Sequence, residues 1–355
     1  MKKIINKTIN KITSLILVSV IISSCSSDQP EICTFEYSDN GYFVTNEGNF
    51  GSGNGSVSFV SIDGVVQNNI FECVNSSYLG DVVQSMTIID SSAYIVINNS
   101  SKIEVVDVET MRSLNTINTV LSPRYITQVS STKAYISDWE TNSIHVLDLN
   151  NLEILSTINV GNGPEQMIFS NGYVYVCNVG GFGYEKTISV IDAENDVVIN
   201  TIEVGDKPNS IVSDANGNIW VLCGGYTEYD TDWTVLSQTA GSLVKITGNS
   251  IMSTFNFDLG NSPSDLVIND NGTSLFYSDG SWIKNVYKFN VSNLELPTTP
   301  IISRNFYGLG YNDGYIYGSD AVDYVQNGWS YKYTESGTIL DSVQVGIIPG
   351  GYCFN

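Results

Sequence analysis

Apolar and polar positions alternate with a period of two in seven short segments: GYFVTN, SAYIVIN, KAYISD, GYVYVCN, GNIWVLC, SLFYSD and GYIYGSD. That period places successive side chains on opposite faces of an extended chain, so each segment is predicted to be a strand. Each carries one aromatic anchor: Phe43, Tyr94, Tyr135, Tyr175, Trp220, Phe276 and Tyr317. Successive anchors lie 51, 41, 40, 45, 56 and 41 residues apart. This is the repeat length of a four-stranded propeller blade, and seven anchors predict seven blades.

The surroundings of each anchor repeat as well. Upstream lies a strand that often opens with proline, as in SPRYITQVS, GPEQMIFS, KPNSIVSD and SPSDLVIND, followed by a turn such as Asn171-Gly172, Asn216-Gly217 or Asn271-Gly272. Asn-Gly supplies the positive φ angles that a two-residue hairpin needs. Downstream come a third strand (KIEVVD, SIHVLD, TISVID, SLVKIT) and a fourth (LNTINTV, ILSTINVG, VVINTIEVG). The first repeat has no opening strand of its own, while the chain finishes with IIPGGYCFN, an opening strand followed by nothing. The expected fold is therefore all-β: a seven-bladed β-propeller of four-stranded antiparallel blades, its ring closed by the C-terminal strand joining the first blade. Closure of that kind removes two sheet edges. Residues 40–355 show no linker or helical stretch and read as one domain.

The amino terminus changes the picture of where this fold sits. Lys2, Lys3, Lys7 and Lys11 precede the apolar run Leu15 to Ile22, too short to span a bilayer, and the run ends at Ile22-Ser23-Ser24-Cys25. Residues 1–24 read as a secretory signal, Cys25 as a lipidation site of lipobox type, and 25–39 as a tether. Asp28 and Glu31 add a faint acidic signal for surface export. Loss of residues 1–24 removes 4 of 15 basic residues and none of the 37 acidic ones, taking the charge from −22 to −26. A field of that sign repels polyanions, so nucleic acid is excluded as a partner and contact with membrane is expected through the lipid only. Beyond Cys25 there are five cysteines with no C-x-x-C spacing, which indicates neither a zinc site nor a disulfide framework. Export permits a disulfide without choosing its pair, and Cys177 and Cys223, inside strand patterns, read as buried thiols.

The strands YVYVCN, YISD and FVTN, with IxVID and TIxVG between them, resemble the YVTN-type (YncE-like) seven-bladed propellers over essentially the whole mature chain. With the lipoprotein start, the opening NEGNFGSGNGSVSF and the closing IPGGYCFN, the chain is similar in general texture to surface propellers of Bacteroidetes. The resemblance implies the fold and, for the corrinoid-capturing (BtuG-like) surface type, an outer-membrane lipoprotein. Such a protein collects cobalamin or a related corrinoid for a TonB-dependent outer-membrane transporter. No ligand motif in the sequence carries that last step.

Candidate binding residues come from the loops between second and third strands, EGNFGSGNG, NNSS, SDWETN, NVGGFGYEK, CGGYTEYDTDWTVLSQTAG, SDGSWIKN and GSDAVDYVQNGWS. They hold four of the five tryptophans, Trp139, Trp233, Trp282 and Trp329, with Phe50, Phe182, Tyr184, Tyr226, Tyr229 and Tyr324. Aromatic side chains on exposed loops pack down as satellite cores or bind something, and their gathering on one side favours a recognition surface. Residues following the opening prolines, Arg124, Glu165, Asn209 and Ser264, are expected at the mouth of the central channel. There they orient a ligand or form a solvated rim.

Other signals read as structural. His145, the single histidine, stands mid-strand where sister repeats have Glu104 and Ser189, which makes a triad improbable and a multi-histidine metal site impossible. Asp107, Asp148 and Asp192 end third strands at equivalent places and are expected to cap turns. NDNGTS lacks the spacing of a calcium loop, and GGFG at 180–183 joins two strands and so opens no phosphate-binding helix. The sequence thus suggests a binding protein without cofactor, metal site or catalytic residues. Two alternatives remain open: a scaffold at the cell envelope, and a lactonase-like hydrolase with an ion at the channel mouth, for which Glu165 is the one placeable carboxylate.

Overall fold

The computed structural model describes Tyr37 and residues 41–355. The signal, Cys25 and the rest of the tether lie outside the described residues. Tyr37, assigned to the tether from sequence, is buried at 1% exposure against Phe43 and Phe59 and donates its hydroxyl to Gln67 at 2.9 Å.

Seven antiparallel sheets follow the repeat. In the fourth blade the strands Pro164–Ser170, Tyr173–Asn178, Thr187–Asp192 and Val197–Glu203 run in that order from the channel outwards. The first blade is completed by Pro349–Phe354, which pairs with Tyr42–Asn46 so that Phe354 faces Tyr42 and Cys353 faces Phe43. Neighbouring innermost strands pack on one another round the ring, and Pro349–Phe354 touches both Gly308–Asn312 and Val83–Ile89. The C-terminal strand therefore closes the propeller, as the sequence requires.

Packing explains the anchors. Second strands lie between two adjacent blades, so both of their faces are covered: every residue of Ile219–Cys223 is buried. The seven anchors are all at most 5% exposed, and Trp220 packs its ring on Phe255 and Phe289. Truncating such a ring in a packed core costs about 3–5 kcal/mol. Outermost strands face water and are exposed along most of their length, as in Glu153–Asn159.

Three local features depart from the sequence reading. A six-residue helix, Ile70–Asn75, follows the short outer strand Val66–Gln67 and buries Ile70 and Phe71, so residues 40–355 do contain a helical turn. The sixth sheet has three strands, with the bridge Val286–Ile302 at its edge in place of a fourth. Of the three Asn-Gly turns, only Asn171-Gly172 has positive φ at both residues, 53° and 86°. Asn216 and Asn271 do not share that geometry. In the first of those two turns Asp214 accepts the N–H groups of Asn216 and Asn218 and supports a longer loop.

Other expectations hold. Asp107, Asp148 and Asp192 each accept a backbone N–H at 2.9 Å from the turn that follows, from Thr110, Asn150 and Glu194. Cys177, Cys223 and Cys353 are buried thiols, and burial pushes Cys223 and Cys353 up to about 12, which keeps them protonated and unreactive. Cys73, on the helix, is disulfide-bonded. His145 is 6% exposed, its Nε2 3.5 Å from Asp138 Oδ2. Burial alone would raise the Asp138 carboxyl, but His145 and the N–H groups of Leu121, Ser122 and Thr141 hold it at about 2. The histidine thus helps fasten one loop of the third blade. No helix among the described residues is long and apolar enough to cross a membrane.

Candidate ligand-binding face

Strand pairing decides which loops share a face. Pro164 lies opposite Asn178 and Asn178 opposite Thr187, so the start of the innermost strand, the end of the second and the start of the third meet at one end of the blade. The same register recurs in the third blade, where Pro123, Asp138 and Ser143 align. All second-to-third loops therefore surround the end of the channel at which the innermost strands begin.

The channel mouth is built on bulges. In five blades the pairing of innermost and second strands slips just after the strand opens, for example between Pro123 and Ile126 and between Pro164 and Met167. The extra residues leave the ladder and are free to meet across blades. Arg124 donates Nε and Nη2 to the two oxygens of Glu165 at 2.9 and 2.8 Å, a bidentate pair whose side chains are only 14% and 10% exposed. Burial disfavours the guanidinium charge, but Glu165 outweighs it and Arg124 titrates above its usual range. Tyr125, next in the chain, is desolvated and pushed up to about 12, with Gln166 and Gln84 of the flanking blades hydrogen-bonding its hydroxyl. Asn209 donates to the Pro263 carbonyl at 2.9 Å, and Ser264 accepts from Lys284 Nζ at 2.9 Å. Arg124 and Glu165 thus come together, while Asn209 ties its blade to the next and Ser264 fastens a loop of its own blade.

Two residues missed in the sequence belong to this mouth. Tyr307 occupies in blade seven the place of Arg124 in blade three, but its strand lacks the opening proline that marks the others. Its hydroxyl donates to Glu47 Oε2 at 3.0 Å. Burial raises the Glu47 carboxyl, opposed by Tyr307 and by the charge of Arg124. Glu47, Glu165 and Asp265 supply carboxylates from three blades, yet no group of three metal-ligating side chains forms among the described residues.

The aromatic residues extend outward from this centre. The Arg124 guanidinium lies 4.1 Å from the centroid of the Trp139 ring, and Trp139 meets Phe182 edge to face at 5.9 Å. Phe182 is 99% exposed. One loop further, Tyr184 stacks on Tyr226 at 4.7 Å and 17°, with Lys207 5.5 Å from the Tyr226 centroid. Tyr226 begins a two-stranded hairpin, Tyr226–Tyr229 with Val235–Thr239, which the sequence reading took for an open loop. Tyr229 packs on Trp233 near its tip, and Trp233 is 81% exposed. On the other side of the mouth Trp282 and Tyr324 flank a cleft of about 520 Å³ between blades six and seven. Trp329 lies apart: it is in the third strand of blade seven, opposite Asp320 and Gln344, half-buried beside Tyr331. Phe50 is exposed in the first loop, near the Asn49 amide, which donates to the Tyr324 carbonyl.

The opposite end has concavities without this character. A cleft of about 800 Å³ between blades three and four is walled by turns and by Lys133, whose ammonium already pairs with Asp196 at 2.6 Å.

Similarity to known proteins agrees with the architecture. Among curated proteins none matches the sequence. The fold resembles hydrazine synthase of Kuenenia stuttgartiensis, with 14% identity over 76% of this chain and 88% of that one and a TM-score of 0.59. It also resembles a quinonprotein alcohol dehydrogenase-like protein of Bacteroides thetaiotaomicron, with 16% identity over 90% and 79% and a TM-score of 0.64. A putative 6-phosphogluconolactonase of Bacteroides fragilis gives 14% identity over 89% and 98% and a TM-score of 0.65. Identities this low speak for fold and leave activity to the site. Residues 40–339 match the profile of DUF5074, described as a domain of unknown function. The chain therefore belongs to the DUF5074 family, and its matched span covers all but the last two strands of a seven-bladed propeller with an aromatic loop face around a polar channel mouth.

Proposed function

We propose that this protein is a lipid-anchored binding protein of the outer membrane, exposed at the cell surface. It captures a bulky small-molecule nutrient on the loop face and passes it to a TonB-dependent transporter. A corrinoid such as cobalamin is the first ligand to try, on the strength of the resemblance in the sequence. The observation that carries the binding reading is the unbroken run from Glu165 through Arg124 and Trp139 to Phe182. It joins buried hydrogen-bonding groups to a fully exposed ring. Binding sites combine apolar area with a few fixed polar groups in this manner. Burial of such rings is worth roughly 25 cal/mol per Å² before ordering costs.

Isothermal titration with cyanocobalamin tests the reading. Measurable heat with quenching of tryptophan fluorescence is expected, and Trp139→Ala with Phe182→Ala should weaken binding by at least about tenfold. Absence of both heat and quenching removes the corrinoid. A second reading, docking of an envelope protein, draws on the hairpin, whose Trp233, Val235 and Leu236 are 81%, 50% and 61% exposed. Recovery of a membrane receptor by the immobilised protein without any ligand would favour it. A lactonase-like activity has the weakest support, since the mouth carboxylates Glu165, Glu47 and Asp265 are engaged by Arg124, Tyr307 and Ser264.

A further inference from the structure

In the cleft between blades six and seven the Lys284 ammonium hydrogen-bonds a serine directly, while the carboxylates of Asp265 and Asp279 feel its charge from further away. Lys284 Nζ donates to Ser264 Oγ at 2.9 Å, and Ser264 in turn donates to Asp265 Oδ2 at 2.6 Å. Among the described residues, the ion pairs within 4.0 Å do not include Lys284. An ammonium carries three donors, of which Ser264 takes one. Nearby Asp320 is engaged by Arg304 at 3.4 Å, and Asp265 receives the Ser264 hydroxyl.

The cleft wall is polar, with Asp265, Asn305 and Asp320 beside Lys284, and its rim is apolar. Trp282 and Tyr324 stand at its edge, 91% and 52% exposed, beside Val322 at 51%. Its volume of about 520 Å³ lies within the range of sites for drug-sized molecules. The acidic surface as a whole repels polyanions, so the cleft suits a ligand with one localised negative group on an apolar body.

We infer that the ligand of this face carries one anionic group, a carboxylate or phosphate ester, seated on the Lys284 ammonium with its apolar body against Trp282 and Tyr324. This rests on the binding reading above and adds the charge of the ligand to it. Lys284 is a ligand-binding residue, and Ser264 fixes where its ammonium sits.

Three probes of one shape test it: 1-naphthoate, 1-naphthyl phosphate and neutral 1-naphthamide, titrated into the full chain at low salt. Each is followed by tryptophan fluorescence and calorimetry. One or both anions should bind at least about tenfold tighter than the amide, and added salt should erode that preference. Preference between naphthoate and naphthyl phosphate tells carboxylate from phosphate. Lys284→Met should abolish the discrimination, while Lys284→Arg retains most of it. Equal binding of anion and amide, an unchanged preference in Lys284→Met, or no binding by any of the three overturns the inference. The two readings fail separately. Cyanocobalamin binding without anion preference sinks only the lysine site, and anion preference without cyanocobalamin binding sinks only the corrinoid.

Discussion

A chain ending at Ile348 should have no cooperative unfolding transition, while the full chain unfolds as a single unit in urea. The deleted strand, Pro349–Phe354, is the innermost strand of the first blade. Its side chains serve two interfaces. Cys353 packs with Phe43, Val83 and Met86 between blades one and two, while Tyr352 and Phe354 pack with Tyr42 and Tyr317 between blades seven and one. Deletion removes both sets of contacts, exposes the edge of Tyr42–Asn46, and uncouples the ends of the ring. A domain stable by about 5–15 kcal/mol cannot absorb that loss. Circular dichroism and urea titration measure it, and a truncated chain within about 1 kcal/mol of the full one would show that the ring does not depend on this strand.

The second large effect lies at the channel mouth. Glu165→Ala removes the bidentate partner of a guanidinium that is 14% exposed, and should lower stability by about 3 kcal/mol. That is the low end for a broken buried pair, because Glu47 also acts on Arg124 and shares in neutralising it. Replacing both residues, as in Arg124→Met with Glu165→Met, should recover most of the loss, since no unpaired charge remains. Urea midpoints of Arg124→Met, Glu165→Met and the double variant form the cycle, with Glu165→Ala as the truncation beside it. Should the double variant be as unstable as Glu165→Ala, the cost belongs to packing on Trp139 and charge pairing is a minor part.

Much of the fold can be read from residues because a propeller writes the same local instruction seven times. The anchors, the opening prolines and the carboxylates of Asp107, Asp148 and Asp192 act through neighbours in sequence or in the same blade. The unmatched strand at the carboxyl terminus then forces closure. Six-residue features give no period: Ile70–Asn75 has too few turns to show one, and positive φ at Asn69 and Ser76 bounds it without a side-chain cap. The hairpin at 226–239 is masked by its turn-rich centre, Asp230-Thr231-Asp232, and Val235–Thr239, two apolar residues followed by three polar ones, shows no period of two.

The candidate site was half legible for the same reason. Exposed rings on loops are visible as composition, and the proline signal located Arg124 and Glu165. Partnerships across blades are not, because Glu47 and Tyr307 are 260 residues apart in the chain. Trp329 shows the converse failure. Its neighbours Asn327 and Gly328 look like a turn, but the strand Asn327–Thr334 begins there and the ring lies along blade seven.

Recognition by one end of the ring is open to amide hydrogen exchange with and without cyanocobalamin. Added protection should fall on residues 137–142, 178–186 and 224–241 and on the segments around Arg124, Glu165 and Lys284. The turns at 171–172, 216–217 and 271–272, on the far end of the blades, should be unchanged. Protection at those far turns, or at neither end, would contradict it.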